Sequence, residues 1–459
     1  MARQSDNVSM NCMDMTWLAL DSINERIVFH AILVIDGDVD PAKLNNAILA
    51  TVQRHPALRT VLRREFLRHY REYRDNIDPQ LLEVHDMSSS GDESEHKRHI
   101  TEWVNRPLDP KKELPFRVLL LKRGHEQYWL AFTFHHYATD ALRALRFVNE
   151  MIREYNKAGE TEAAPGKAAE DTITAHRIDE LLPLIQRPKS KVKWYYPKIA
   201  SSLFHRFVIS IFSPPSRIFH DRSSGKSGEV SFIRTWMDSI ELSEIDAKSR
   251  VLGATVNDVL LAACFKTIEK WNEMHGRSSG KISIMVPVDV GRKMSQHIVS
   301  NQISYVSPIT MRDERVDHVG LPKKVSRRTG CVIRNGNAFS MIYFTYLISR
   351  LGFAVLRLVG MLFIATRVYI DTTLLTNVGR VRLGDGKEPR LGDARITDIF
   401  GVTPVVSPWG MSVVTAVFNG KLQLDLTYRT TRFSDETARR FLDLYVEEIR
   451  NYMLALETA

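Results

Sequence analysis

Residues 128–151 read YWLAFTFHHYATDALRALRFVNEM, and their periodicity changes partway along. Tyr128 to Phe134 is a continuous apolar, aromatic run with the length of one buried strand. It ends in two adjacent histidines, His135 and His136. Asp140 follows where a helical pattern begins, with apolar residues at Leu142, Leu145, Val148, Met151 and Ile152, the spacing of one buried helix face. A histidine at a strand end and a carboxylate at the start of the next helix are placed to share one cleft. An imidazole fixed there, with an ordinary pKa of about 6.5, is mostly neutral at pH 7 and can serve as a general base.

The same residues also admit structural readings. Either histidine can be a core residue bonded to backbone, and an Asp at a helix start is a common N-cap. A metal site is disfavoured, because successive side chains on a strand point to opposite faces and His135 and His136 do not converge on one ion. Neither an HExxH pair nor a cysteine cluster is present. The GxSxG string Gly276-Arg277-Ser278-Ser279-Gly280 runs into the strand Ile282 to Val288 rather than from a strand into a helix, so a Ser-His-Asp hydrolase lacks its nucleophile elbow.

With 459 residues the chain has room for about two domains, and its 44% hydrophobic content supports a sizeable core. Three cysteines, Cys12, Cys264 and Cys331, lie far apart, which argues for a reducing compartment. The first residues, MARQSDNVSMNCMDM, lack the apolar core of a secretory signal, so a cytoplasmic protein is expected. The formal charge is +9, from 63 Lys+Arg against 54 Asp+Glu. Basic residues cluster at Arg63, Arg64, Arg68, Arg71 and Arg74, and at Lys189, Lys191, Lys193 and Lys198. Such clusters can be solvated faces or can meet anionic lipid or the phosphates of coenzyme A. No helix-turn-helix, zinc-finger or RNP-like pattern accompanies them, so nucleic acid is not an expected partner.

Strands and helices alternate up to about Tyr155, where the polar stretch KAGETEAAPGKAAED reads as an exposed linker. We expect an N-terminal lobe over 1–190, a linker and amphipathic segment over 191–228 that includes Trp194 to Phe212, and a C-terminal lobe over 229–459. In the last of these, Thr255 is an N-cap with Asp258 in the first turn, and Asn419-Gly420 is a hairpin turn within Val413 to Leu426. Ser340 to Tyr369 is long and apolar, but Arg350 and Arg357 interrupt it on one helical face. An Arg at the centre of a span costs about 2.5–3.5 kcal/mol on insertion scales, which argues against spanning. A buried helix pair and a helix lying in the membrane interface remain.

His135-His136-Tyr137-Ala138-Thr139-Asp140-Ala141 resembles the HHxxxDG signature of the condensation-domain-like acyltransferases, with Ala141 where the signature has glycine. Further segments fall in the matching order. Met13 to Leu20 (MDMTWLAL) resembles the N-terminal entry to the first strand. Leu44 to Arg59 (ending in HPALR) resembles the first helix and its turn. Val286 to Arg292 (VPVDVGR) with Asn301 resembles the PVxxR element. Thr376-Asn377-Val378-Gly379, Ser407-Pro408-Trp409-Gly410 and FNGKLQLDLTY resemble the closing segment of the wax ester synthase/diacylglycerol acyltransferase branch.

The resemblance implies an α/β fold of two similar mixed-sheet lobes, chloramphenicol acetyltransferase-like, with the active site in a tunnel between them. It implies His136 as the base that activates the acceptor, His135 as a neighbour shaping the loop, and a structural salt bridge between Asp140 and Arg292. Asn301 and Asn377 would be hydrogen-bonders near the cleft or turn residues, and Trp409 would line the tunnel or pack. The implied reaction moves an acyl group from an acyl-CoA or acyl-carrier-protein thioester, a co-substrate rather than a cofactor, to a hydroxyl acceptor. A condensation-type amide synthase acting on an amine is the alternative, and a catalytically silent lipid- or carrier-binding member, given footing by Ala141, is the rival from another class. Apolar and basic segments together suggest a peripheral contact with an anionic membrane surface.

Overall fold

The computed structural model describes residues 7–23, 26–65, 68–157, 204, 210–222, 229–289, 301, 303–334, 337–366, 371–384, 388–406 and 409–454. Its early strands are β1 Asn7–Ser9, β2 Val28–Asp36, β3 Thr60–Glu65, β4 Arg68–Tyr73, β5 Leu82–Asp86, β6 Phe116–Gly124, β7 Gln127–His135 and β8 Val230–Met237. The later ones are β9 Ile282–Asp289, β10 Ile303–Val306, β11 Ile309–Thr310, β12 Thr373–Arg380, β13 Arg390–Leu391, β14 Ala394–Val402, β15 Met411–Phe418 and β16 Lys421–Arg429. Between them run α1 Cys12–Asp21, α2 Pro41–Gln53, α3 Glu93–Asn105, α4 Ala141–Lys157 and α5 Ser239–Val251. They are followed by α6 Val256–Met274, α7 Leu321–Arg334, α8 Asn337–Arg350, α9 Phe353–Thr366 and α10 Asp435–Leu454.

β7 lies inside a six-stranded sheet ordered β13-β14-β2-β7-β6-β5. Its alternation feeds two cores at once. Leu130, Phe132 and Phe134 pack with α2 and α4, while Trp129 and Ala131 pack with Ile100 and Trp103 of α3. With both faces covered, the strand reads as a continuous apolar run. The second sheet runs β10-β9-β12-β15-β16-β8, with β11 also on β9, and its core is filled by α6 and α10. A small antiparallel sheet, β1-β4-β3, stands beside them.

The expected division near residue 229 follows the chain but not the sheets. β13 and β14 come from the C-terminal half and complete the N-terminal sheet, β14 pairing antiparallel with β2. Side chains fasten the halves elsewhere. The Asn105 amide replaces a strand neighbour for Val230, accepting its N–H at 2.9 Å and donating to its carbonyl at 2.7 Å. Lys97 pairs with Asp435 at 2.7 Å. Most of the 191–228 segment, with Lys189, Lys191, Lys193 and Lys198, lies outside the described residues.

Local signals place several elements. Asn419 (φ 47°) and Gly420 (φ 77°) turn β15 into β16, both left-handed as such a two-residue hairpin requires. Thr255 and Asp258 form a full capping box at the start of α6. α4 buries Ala144, Phe147, Val148, Met151, Ile152 and Tyr155. Its inward face is therefore rotated from the expected one, with Leu142 at the surface.

As far as it is described, to Thr366, the 340–369 stretch lies in two helices, α8 and α9, broken at Leu351-Gly352, where Gly352 adopts φ 102°. That conformation is open to glycine and strained for other residues. Arg350 and Arg357 accordingly sit on different helices, not on one helical face, and both are exposed. No single helix among the described residues is long and apolar enough to cross a membrane.

Replacing Thr255 removes one side of the α6 capping box. Thr255→Ala should cost about 0.5–2 kcal/mol, visible as a lowered thermal midpoint. An unchanged midpoint would contradict the capping role.

Candidate active site

The β2–β7 ladder delivers the histidine pair. Val28 is opposite His135, and the pairing runs on as His136 N–H donates to the Ile27 carbonyl at 3.0 Å. The chain then turns, Ala138 N–H bonding the His135 carbonyl at 3.0 Å. Asp140 closes the turn as the cap of α4, its Oδ1 accepting the Arg143 N–H at 3.1 Å. The strand end and the helix start are thereby fixed on either side of five residues.

Three buried side chains hold this loop from outside. Arg71 on β4 pairs with Asp14 of α1 at 2.6 Å and also donates to the Tyr137 carbonyl. The Asn301 amide donates to the second Asp14 oxygen at 3.0 Å and to the His136 carbonyl. Asp14 also accepts the Asn11 N–H at 3.2 Å in the capping box of α1. One carboxylate thus organises two donors that grip consecutive carbonyls of the histidine loop. Arg71, Asp14 and Asn301 are all buried, so each has exchanged water for these partners.

The His136 ring lies between Trp17, stacked at 4.7 Å between centroids, and Phe29 at 4.6 Å. It lines a cavity walled by β2, α4, β9, β12, β14, β15 and β16, strands of both sheets, which encloses about 1140 Å³ with its mouth included. Burial pushes its pKa down to about 3, with His135 adding to the fall. The imidazole is therefore neutral across the physiological range and available as a proton acceptor. Its Nδ1 has no hydrogen-bond partner among the described residues. A second chamber of about 970 Å³ lies between α1, α8 and α9, lined by Met13, Leu20, Phe344, Leu356 and Phe363. Trp17 and Trp409 border both spaces.

The other expected site residues divide. His135 is fully buried, takes the Tyr137 N–H on Nδ1 at 3.2 Å and places Nε2 3.5 Å from Asp21. It faces away from the cavity, so the two histidines do the work of separate parts. Asp140, also fully buried, pairs with Arg143 at 3.3 Å, and Arg143 reaches on to Asp289 at 3.1 Å. Arg292 lies outside the described residues. Asn301 joins the site as a positioning group. Asn377 does not: its amide donates to Asn257 at 3.3 Å and its oxygen takes the Gly379 N–H at 2.8 Å, while its neighbours Thr376 and Val378 line the cavity. Trp409 lines both chambers, and its indole Nε1 has no partner among the described residues. Ala141, standing where the family signature has glycine, is the first residue of α4 in ordinary helical geometry, and its methyl lines the cavity.

Sequence reasoning missed Asp14 as a partner, grouped Arg71 with surface arginines, and passed over Asp425, which also lines the cavity. Arg63 and Arg74 of the same cluster converge on Glu72 at 2.7 and 3.2 Å. The cluster is therefore a paired ridge with one buried member. Nothing local in MDMTWLAL or RHYREY marks the pair. A hint lay only in two charged residues alternating among residues that must face inward.

A two-lobed α/β architecture with a cavity between the sheets and a histidine at the end of a central strand defines a CoA-dependent acyltransferase-like fold. Residues 19–173 match the Condensation domain family. The first condensation domain of the calcium-dependent antibiotic synthetase, in complex with a substrate analogue, superposes with a TM-score of 0.72 at 14% identity, covering 97% of each chain. A variant of the starter condensation domain of rhizomide synthetase, in complex with C8-CoA, gives 0.70 at 13% identity, over 98% of this chain and 95% of that one. An uncharacterised protein of Mycobacterium tuberculosis (strain ATCC 25618 / H37Rv) is 25% identical over 312 residues, 66% of this chain and 67% of its own length. The chain shares the condensation-domain fold along its length and resembles the Condensation domain family in sequence over residues 19–173.

Removing one partner of the Asp14–Arg71 pair leaves a buried charge uncompensated. Asp14→Ala or Arg71→Ala should each cost about 3–5 kcal/mol of stability. The double variant should cost less than the sum, because the two share one interaction. Strict additivity in a denaturation cycle would show that the pair is not coupled.

Proposed function

We propose that the protein transfers an acyl group from an acyl thioester to a hydroxyl acceptor, with His136 as the base. The observation that carries this reading is a neutral imidazole, clamped by its own main chain, on the wall of an apolar cavity between two lobes. His136 takes the acceptor's hydroxyl proton as the oxygen attacks the thioester carbonyl. Collapse of the tetrahedral intermediate breaks the carbon–sulfur bond, and the leaving thiolate recovers the proton from the imidazolium. No covalent acyl-enzyme is needed. The oxyanion requires donors where the negative charge develops. We assign the indole N–H groups of Trp17 and Trp409, both on the cavity wall and both without partners among the described residues.

The starter condensation domain solved with C8-CoA supports a CoA thioester as donor. The second, apolar chamber beyond Trp17 and Trp409 supports an acyl chain of some length. An amine acceptor and an amide product form the second reading, favoured by the Condensation domain match. Desolvating an ammonium group in so apolar a cavity weighs against it. Mass spectrometry of products from a panel of acyl-CoAs with alcohols and amines separates the readings. Esters are expected; amides alone would establish the second reading, and no product from any pair would establish a silent fold member.

His136→Ala should lower turnover by about 10²–10⁴ without changing the thermal midpoint, the usual contribution of a positioned base. Near-wild-type turnover would remove His136 from the chemistry. Trp409→Phe, which keeps an aromatic ring but loses the N–H, should lower kcat by about 10²–10³ if the indole is an oxyanion donor. A variant impaired only in KM would reduce Trp409 to packing.

The reading extends to a membrane surface. Leu358, Met361 and Leu362 of α9 are about half exposed, flanked by exposed Arg350 and Arg357. Apolar residues beside cations suit the interface of an anionic bilayer. The protein should float with anionic vesicles at low salt and less at high salt. Remaining at the bottom of the gradient with anionic vesicles at low salt would overturn the membrane contact.

A further inference from the structure

Acyl transfer at His136 leaves one lining group of the main cavity unused, Asp425. It lies on β16, whose residues alternate: Leu422, Leu424 and Leu426 enter the C-terminal core. Gln423, Asp425 and Thr427 turn instead to the crossing strand β14, bonding Asp398, the Gly401 N–H and the Thr403 N–H in turn. Asp425 is 2% exposed. Its Oδ2 accepts from Gly401 at 2.8 Å, and Oδ1 has no partner among the described residues. The nearby donors turn to a different acid: Arg234, its cross-strand neighbour on β8, bonds Asp398 through Nη2 and leaves Nη1 without a partner among the described residues, and Gln423 donates to Asp398 at 2.8 Å. Among the described lining residues Asp425 is the sole carboxyl group, and no Lys or Arg accompanies it.

A carboxyl oxygen left unserved in an apolar wall costs free energy until a donor reaches it. Burial lifts the Asp425 pKa to about 7, against the Gly401 N–H and Arg234, with Asp398 adding to the rise. Near neutral pH a large share is therefore uncharged and can donate as well as accept. His30, on the same cavity wall, is held neutral too, its pKa pushed down to about 3 by burial and then by Arg117. A hydroxyl matches such a wall. It offers both halves of a hydrogen bond and brings no charge that must be stripped of water.

We propose that Asp425 anchors a hydroxyl carried by the substrate chain, apart from the reacting group at His136, so that the cavity prefers hydroxylated long-chain molecules. The proposal rests on reading this cavity as the substrate tunnel. It is tested by binding rather than turnover, so it can fail while the acyl-transfer reading stands, and the reverse. Quenching of tryptophan fluorescence, with Trp17 and Trp409 on the wall, reports affinity for two sets of probes. The first compares dodecanediol isomers with dodecanol, placing the hydroxyl on the acceptor. The second compares hydroxydodecanoyl-CoA isomers with dodecanoyl-CoA, placing it on the acyl chain. At least one hydroxylated probe should bind wild-type protein about tenfold more tightly than its parent, and the set in which it falls identifies the carrier of the hydroxyl. Asp425→Leu should abolish the preference and Asp425→Asn should retain much of it. Equal affinity of every probe and its parent, no measurable binding at all, or a preference that survives in Asp425→Leu would overturn the proposal. The wild-type comparison decides alone if the Leu variant does not fold.

Discussion

The site depends on a single buried carboxylate. Asp14 sits in the first turn of α1 and holds Arg71 of β4 and Asn301 of the segment before β10. Those two groups in turn hold the carbonyls of Tyr137 and His136. Parts of the chain separated by as many as 287 positions are tied to one loop. Burying an ion pair is costly unless its remaining hydrogen-bonding capacity is met. Here the capacity is met by the main chain of the histidine loop itself, so the pair is stable only while the loop is in place. Stability and geometry of the site are the same interaction seen from two ends.

The lobes meet through backbone as well as side chains. β14 leaves the C-terminal half to pair with β2, and its inner residues then face β15 and β16 across the cavity. The space beside His136 is consequently walled by strands on both sides, and parting the two sheets would break the bonds from Gly401 to Asp425 and from Thr403 to Thr427. A rigid wall suits a reaction whose demands are alignment of two substrates and exclusion of water. Trp17 belongs to this wall and also stacks on His136, so the ring that partitions the two chambers also orients the imidazole.

What the sequence revealed was local. The apolar run before His135, the cap at Thr255 and the Asn419-Gly420 turn are each settled within a few residues by periodicity or turn chemistry, and the structure follows them. What it concealed was set by contacts distant along the chain. Arg71 looks like one more arginine of RHYREY, because its partner lies on α1. LQLDLTY reads as a strand with one wet face, because nothing in it announces that β14 will cover that face. Asn377 stands between two cavity residues, and strand alternation turns it away from them toward Asn257. Arg350 and Arg357 read as sharing one helical face, because nothing in the apolar run announces that Gly352 divides it into two helices. The HHxxxD resemblance pointed to His136 but not to the grip on it, which the pattern does not contain.

The most direct test is the pH dependence of kcat/KM for acyl transfer from an acyl-CoA to an alcohol. Burial between Trp17 and Phe29 keeps the free-enzyme imidazole deprotonated far below its ordinary range. The account therefore requires the profile to stay level on the acid side from pH 7 to about pH 5, well below the ordinary histidine value of about 6.5. An acid limb with a midpoint near that ordinary value, retained in Asp425→Asn and absent from a profile of the non-enzymatic reaction, would show that the base is a solvated histidine and would contradict the account.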